Sequence, residues 1–253
     1  MILTKDFVVI NYPKTGSTYM RECIKRIYCE STFLNRLLHK DDVFEELHLP
    51  KVYGIKADTY KDQHGVVSQI PEKYKEHPVV TVIRNPFNRT ISSYHYEWWK
   101  RHPMYELSKI ESIYPTYPDI NLMEFAQMLN HPELTPDNLL QRFADQLGYN
   151  TRLFLIFYSN NPEASAEKLI STRCSIMDVI RPNIHFMKQE SLEKDLTTYI
   201  EKYTSKDASL IADVAEQNTG NYKPESEFST EFKNYVIKMD RALFEAFYPE
   251  LLN

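Results

Sequence analysis

Within its first 30 residues the chain changes from an apolar run to a helical pattern of apolar positions. Residues 8–10 are all β-branched, which is typical of a buried strand. From Met20 onward the apolar residues return every three or four positions, and this spacing predicts an amphipathic helix with one buried stripe. The stripe consists of Met20, Cys23, Ile24, Ile27 and Tyr28. Because only a short polar turn joins the two segments, the sequence predicts a strand, a loop and a helix in succession.

The rest of the chain shows the same two patterns in alternation. A continuous β-branched run at 79–83 predicts a central parallel strand, and a helix is expected from Pro86 to about residue 100, with Asn85 as its cap. Further strands are predicted over 52–57 and 184–187, and further helices over 121–129, 136–147, 191–203, 206–217 and 232–247. Strands that alternate with helices indicate an α/β fold, here a single domain over 1–253 whose mainly parallel central sheet is flanked by helices.

The polar turn between the first strand and the first helix has the composition of an anion-binding loop. Lys14 lies beside Gly16, and the hydroxyl side chains of Thr15, Ser17 and Thr18 surround it. The first amides of a helix have no partner within the helix, and the helix dipole favours negative charge at that end. Nucleotide hydrolases carry their loop lysine after the glycine, whereas here it precedes the glycine. The sequence therefore predicts a phosphate loop of another kind, and the alternative is an ordinary turn.

A second candidate site follows the predicted strand at 79–83. Arg84 stands at the carboxyl end of that strand, where ligands of open α/β sheets bind. Its guanidinium is suited to grip a phosphate with two parallel hydrogen bonds. Ser92 lies two helical turns further on and can reach the same anion if the helix runs past it. The alternative is that Arg84 pairs with a carboxylate and Ser92 is an ordinary surface residue.

The composition restricts the class of protein. The 253 residues are 42% hydrophobic and 26% charged, as in soluble globular proteins, and the net charge of -5 argues against a general nucleic-acid binder. No stretch approaches the roughly 18 apolar residues that a membrane span needs. The three cysteines lack metal-ligand spacing and are expected to be reduced. We therefore expect a cytoplasmic protein without nucleic-acid or membrane partners; the sequence does not specify its oligomeric state.

Taken together, the two candidate sites resemble those of the PAPS-dependent sulfotransferases, where PAPS is 3′-phosphoadenosine 5′-phosphosulfate. Residues 13–18 resemble the loop that binds the 5′-phosphosulfate, and residues 84–86 with Ser92 resemble the 3′-phosphate motif. Residues 186–192 resemble a later strand-and-helix segment of the family. The resemblance implies a P-loop-like PAPS-binding sulfotransferase fold, PAP as the product nucleotide and no metal. It also implies a set of donor contacts: Lys14, Thr15, Gly16, Ser17, Thr18, Tyr19, Arg84 and Ser92.

The chain departs from the family near its C-terminal helix. The Gly-rich basic segment with which the aryl and steroid branch holds the 3′-phosphate is missing. Residues 218–223 stand in its approximate place, and Lys223 is a candidate nucleotide contact there. The alternative for this segment is a plain loop between two helices.

The proton acceptor is the second departure. Where related enzymes carry a Lys-x-His or Glu-Lys pattern, this chain has Lys56 and Asp58. An ordinary aspartate has a pKa of about 3.9 and needs burial to act as a base near neutrality. His64 has the better ordinary pKa, about 6.5, but lies six residues beyond the matching position. Lys14 and Asp58 are therefore the predicted catalytic residues, with His64 as the second candidate base; a Lys56–Asp58 surface ion pair is the alternative.

The acceptor is expected to be a small molecule. Residues 94–118 are rich in tyrosine and tryptophan and contain acidic residues, a composition suited to planar or cationic groups. The chain resembles stand-alone bacterial sulfotransferases, so a natural product such as a guanidinium alkaloid of a saxitoxin-type pathway is the first expectation. The alternatives are a carbohydrate sulfotransferase, a small-molecule kinase that uses Mg²⁺, and a non-catalytic PAP-binding module.

Overall fold

The computed structural model describes residues 1–29, 44–55, 57–214 and 228–252 of the chain. The chain divides into two compact units, each assembled from separate stretches of sequence. The first unit comprises Met1–Pro50, Lys61–Arg84 and Pro182–Gly220. The second comprises Lys51–Tyr60, Asn85–Arg181 and Asn221–Asn253. The single domain over 1–253 stays a prediction.

The first unit is built on a five-stranded sheet. Its strands are β1 (Ile2–Thr4), β2 (Val8–Ile10), β3 (Phe44–Glu46), β6 (Val79–Ile83) and β7 (Ile184–Lys188), and a separate antiparallel pair is formed by β4 (Leu49–Pro50) and β5 (Lys61–Asp62). The order is β3–β1–β2–β6–β7, in which β2, β6 and β7 run parallel. The sheet is extended at one edge by β1, which pairs antiparallel with β2, and by β3, which pairs antiparallel with β1. The predicted α/β class is confirmed.

The described helices cover the sheet or form the second unit. Those of the first unit are α1 (Ser17–Cys29) and α8 (Leu192–Tyr203). Those of the second unit are α2 (Pro86–Tyr96), α3 (Trp98–Arg101), α4 (Leu107–Ile113), α5 (Leu122–Leu129), α6 (Tyr149–Tyr158), α7 (Pro162–Thr172) and α9 (Thr230–Phe247). The predicted stripe of α1 is buried, and it packs with Val80, Met187 and residues of α8 in one apolar core.

The strand pairing decides where the candidate site forms. Strand β2 pairs with β6 from Val8↔Val79 to Ile10↔Thr81, and all five residues of β6 pair with β7. Because parallel strands end at the same edge of a sheet, the turns after β2, β6 and β7 lie side by side. All five residues of β6 are buried, as expected for a strand covered on both faces.

The second unit contains a buried polar network as well as an apolar core. The Asp240 carboxylate is buried and accepts hydrogen bonds from the side-chain amide of Asn150 at 2.7 Å and the backbone amide of Thr151 at 2.8 Å. Burial raises the pKa of this carboxyl. The buried Arg89 guanidinium donates to the Asn150 side-chain oxygen. This network ties α2, α6 and α9 together.

Three predicted elements differ from the structure. The strand expected over 52–57 is wrong, since the described residues there form turns, with Gly54 at φ 78°. The helix expected over 136–147 is wrong because Leu140, at φ 56°, separates two short 3₁₀ segments. Of the helix expected over 206–217, residues 208–211 form a 3₁₀ turn and 215–217 lie outside the described residues.

Candidate functional site

The loop after β2 has the backbone shape of an anion-binding turn. Lys14 at φ 66° and Gly16 at φ 85° both lie in the left-handed region. Helix α1 begins at once, with the Met20 amide donating to the Gly16 carbonyl at 3.2 Å. The amides of Ser17 and Thr18 come before this first bond, so the hydrogen-bond ladder of the helix does not use them. They lie at the positive end of the helix dipole, where an anion is stabilised.

The loop is also held from inside. Thr15 is fully buried, and its hydroxyl donates to the Tyr12 carbonyl at 2.8 Å. Its side chain therefore supports the loop backbone. Ser17 is buried, whereas Thr18 and Tyr19 are half-buried on the first turn of α1.

Gly16 is favoured by its conformation and by the limited space around it. A Cβ atom at this position would lie 3.2 Å from Cγ of Gln189, in addition to the strain of a positive φ. Gln189 begins the turn after β7, so the third parallel strand supplies a wall of the loop. Sequence reasoning did not single out this contact, although the segment 186–192 was noted for its resemblance.

The second candidate motif lies against the first. Nη1 of Arg84, the residue after β6, is 3.4 Å from the Lys14 carbonyl oxygen and donates to it. The structure thus brings the Arg84 guanidinium against the backbone of Lys14, 70 residues away in sequence. A guanidinium and the N-terminus of α1 at this edge of the sheet have the chemistry that suits a phosphate-like anion.

His64 is hydrogen-bonded to Asn11, the residue after β2 that leads into the same loop. Its Nδ1 lies 2.6 Å from the carbonyl oxygen of Asn11, and its backbone amide donates to the Asp62 carboxylate at 2.6 Å. A carbonyl oxygen can only accept, so Nδ1 carries the proton of this hydrogen bond. In the neutral ring the lone pair is then on Nε2.

Asp58 is placed differently from the expectation. It lies exposed in a turn at φ 60°, and its amide donates to the Lys51 carbonyl at 2.8 Å. The turn belongs to the second unit, where Asn138 binds both the amide and the carbonyl of Gly54, at 2.8 and 3.2 Å. The strand that would have put Lys56 and Asp58 on one face is absent, and Lys56 itself lies outside the described residues.

Comparison with known proteins decides the family. The chain matches the model of the Sulfotransferase family over residues 2–239. It belongs to the sulfotransferase family. The predicted enzyme class, a PAPS-dependent sulfotransferase, is confirmed.

Searches of solved structures and of curated sequences show only distant similarity to this sulfotransferase. The mouse sulfotransferase SULT7A1, solved in complex with PAP, is similar with 13% sequence identity and a TM-score of 0.42. The match covers 96% of this chain and 84% of the mouse protein. No curated protein sequence matches the chain of this sulfotransferase.

The remaining predicted donor contacts of the sulfotransferase are Ser92 and Lys223. Ser92 is half-buried on α2, the helix that Asn85 caps by accepting from the Phe87 amide at 2.9 Å. Helix α2 starts at Pro86 as predicted and ends at Tyr96, where Glu97 adopts φ 52°. Lys223 lies outside the described residues. Both remain predictions.

The segment 94–118 of the sulfotransferase contains seven tyrosine and tryptophan residues, of which two are buried, three are half-buried and two are exposed. Trp99 and Tyr105 are buried, and the Tyr105 hydroxyl donates to the Leu129 carbonyl at 3.0 Å. The large exposed aromatics of this segment are Tyr96 and Trp98, which are 55% and 46% exposed and stack at 6.2 Å between ring centroids. This pair is therefore the most exposed part of the predicted aromatic surface.

The described residues were compared with the requirements of a metal site and of a membrane-spanning helix. In 1–29, 44–55, 57–214 and 228–252, no group of three or more His, Cys, Asp or Glu residues is placed to hold a metal ion. Metal-free chemistry stays a prediction. Within the same ranges, no helix has the length and apolar character that crossing a bilayer requires.

Proposed function

We propose that this sulfotransferase transfers a sulfuryl group from PAPS to a hydroxyl, amine or carbamate nitrogen of a small molecule. The observation that carries the proposal is the contact of Arg84 with the Lys14 loop at the N-terminus of α1. Lys14, Arg84 and the amides of Ser17 and Thr18 form a donor set that suits an anionic nucleotide. When bound, PAPS would supply the sulfuryl group, and PAP would be the anionic leaving group.

The residues of the loop stabilise negative charge. Lys14 and the helix N-terminus place positive charge in fixed positions before the reaction begins, which is the arrangement that lowers barriers of group transfer to and from phosphates. Arg84 adds a second cation held through its bond to the Lys14 carbonyl. Ser92 and Lys223 complete the donor set as the family resemblance implies.

We assign the removal of the acceptor proton to His64. Its ring is half-buried and oriented by a 2.6 Å hydrogen bond next to residues 13–18, the loop after β2 that forms the proposed donor loop. Asp58 lacks the burial on which its role as a base depends, since it lies exposed in a turn. A general base that is positioned in this way contributes about a hundredfold or more to turnover.

Paired variants test this assignment. His64→Gln is expected to lower kcat by at least about a hundredfold, because it removes the proton acceptor. Asp58→Asn, the matched control on the other candidate, is expected to keep kcat within about threefold. Both should bind PAP like the unmodified enzyme in calorimetric titration. A large loss in Asp58→Asn with normal turnover of His64→Gln would return the role to Asp58.

A glycine substitution tests the donor loop. Gly16→Ala is expected to weaken PAP binding by about tenfold, because a left-handed alanine costs about 1–2 kcal/mol and its Cβ crowds Gln189. Gly54→Ala is the control, since Gly54 shares the positive φ (78°) but a Cβ there would meet nothing nearer than Lys51 Nζ at 4.0 Å. Titration with PAP should separate the two, and equal affinities would exclude Gly16 from donor binding.

The acceptor is proposed to be a natural product with a planar or cationic group, such as a guanidinium alkaloid. The support is the exposed Tyr96–Trp98 pair, whose ring faces suit stacking and cation–π contacts. We place the enzyme in the cytoplasm, because Cys23 and Cys174 carry free thiols, as is usual in reducing compartments.

Transfer of labelled sulfate from PAPS tests the reaction. A panel of hydroxylated, phenolic, guanidinium and saccharide acceptors should include at least one that becomes labelled. PAP binding without transfer to any acceptor would indicate a non-catalytic PAP-binding module. Tight binding of ATP with Mg²⁺ in place of PAP would indicate a kinase, and preferred labelling of saccharides a carbohydrate sulfotransferase.

A further inference from the structure

We propose that Asn11 is a positioning residue that orients the His64 imidazole for proton transfer. The proposal rests on the role assigned to His64 above. Asn11 directly follows β2 and is fully buried. It stands between the strand and the donor loop, and therefore holds His64 in register with that loop.

Asn11 makes two separate contacts with the segment that carries His64. Its backbone carbonyl accepts the proton of Nδ1 at 2.6 Å, and its side-chain amide donates to the Gln63 carbonyl at 3.3 Å. A third bond joins the His64 amide to the Asp62 carboxylate. The backbone before the imidazole and the imidazole itself are thus both held, and Asn11 contributes a bond to each.

The contact with Nδ1 selects one tautomer of the ring. An imidazole in water prefers the proton on Nε2, which would leave Nδ1 as the basic nitrogen. The Asn11 carbonyl reverses this preference, because it offers only an acceptor to Nδ1. The Asn11 carbonyl can accept from Nδ1 only while residues 62–64 stay in place. The Asn11 side chain holds these residues through its hydrogen bond to the Gln63 carbonyl.

The Asn11 side chain is retained at a cost in stability. Its Oδ1 atom is buried and has no hydrogen-bond partner among the described residues. A buried acceptor without a partner destabilises the folded state, whereas a leucine of similar shape would remove that penalty. Stability alone therefore disfavours asparagine here. Such unsatisfied buried groups call for a functional explanation.

The first test compares stability with turnover in Asn11→Leu. We expect an unchanged or higher melting temperature, a fall in kcat of about tenfold and a KM for PAPS within about threefold. The loss is partial because the Gln63 carbonyl also accepts from the Met1 nitrogen at 2.5 Å. Should leucine prevent folding, Asn11→Ser removes the amide without adding bulk.

Thr81→Val is the matched control. The Thr81 hydroxyl is fully buried and donates to the Ile10 carbonyl at 2.8 Å, one residue before Asn11. This variant removes a buried hydrogen bond between β6 and β2 that is separate from the bonds of Asn11 to Gln63 and His64. We expect a lower melting temperature with kcat within about twofold.

Nitrogen-15 NMR of the histidine rings provides a readout that does not depend on activity. In the unmodified protein we expect His64 as the Nδ1–H tautomer, identified by the loss of its signals in His64→Gln. In Asn11→Leu the signals should move toward the Nε2–H form. Thr81→Val should leave them unchanged.

Three results would overturn the role of Asn11. They are an Nε2–H ring in the unmodified protein, an unchanged tautomer and kcat in Asn11→Leu, or a kcat that falls in Asn11→Leu and Thr81→Val in proportion to lost stability. Full turnover of His64→Gln is a different outcome, since it would overturn the role of His64 itself.

Discussion

The Lys14→Met sulfotransferase is expected to lose about a thousandfold in kcat/KM for PAPS while it keeps its fold. Methionine has a similar length but no charge, so the change removes the cation that we propose to act on the leaving phosphate. The loss of one preorganised charge or donor costs about 3–4 kcal/mol of transition-state stabilisation, which corresponds to this factor. Steady-state kinetics over a range of PAPS concentrations measures it.

Lys5→Met is the control for this variant. Lys5 lies in the turn between β1 and β2, so it precedes the same strand that Lys14 follows. Its replacement should leave kcat/KM within about twofold. Lys14→Arg should recover part of the loss, because it restores the charge with a different shape. A fall of less than about tenfold in Lys14→Met would contradict a role of Lys14 at the leaving group.

Arg152→Met is expected to cost the second unit about 3–5 kcal/mol of folding free energy. Arg152 lies on α6 and is fully buried, and burial lowers the pKa of its guanidinium. It donates to the carbonyls of Leu147, Leu139 and Leu129, at 3.0, 2.8 and 3.0 Å. Methionine leaves three buried carbonyls without these donors. Thermal denaturation should show a midpoint lower by on the order of 10 °C.

Arg142→Met is the matched control for the buried arginine. The side chain of Arg142 is 62% exposed and pairs with Glu167 at the surface. An exposed pair contributes roughly 0–1 kcal/mol, so the midpoint should change little. Equal shifts of the midpoint for the two variants would show that the hydrogen bonds of Arg152 to the three carbonyls do not stabilise the second unit.

The periodic pattern predicted the elements that have one buried and one exposed face or a continuous apolar run. The helix α1 and the strand β6 are found where the pattern places them. Helix α6 was not predicted, because all ten of its residues are buried and it therefore has no polar face to mark the helical period. The wrong helix over 136–147 reflects the left-handed Leu140, which no local sequence rule indicates.

The choice between the two candidate bases depends on tertiary position as well as on motif spacing. By position in the sequence, Asp58 stands where the family histidine is expected. The structure puts Asp58 in an exposed turn and holds His64 beside the donor loop. His64 lies six residues beyond the matching sequence position. It still lies beside the end of β2, because β5 and the turn after it return the chain to that point.

The sequence by itself determined the chemistry of the donor loop, because a strand, a turn with lysine and glycine and a helix N-terminus are all local features. Only the tertiary structure decided that Arg84 lies against Lys14 and that Asn11 holds His64. Both contacts join residues more than fifty positions apart, and they depend on the pairing of β2 with β6 and on the return of residues 62–64 to β2. Such contacts are produced by long-range hydrogen bonding and burial, which no periodicity along the chain records.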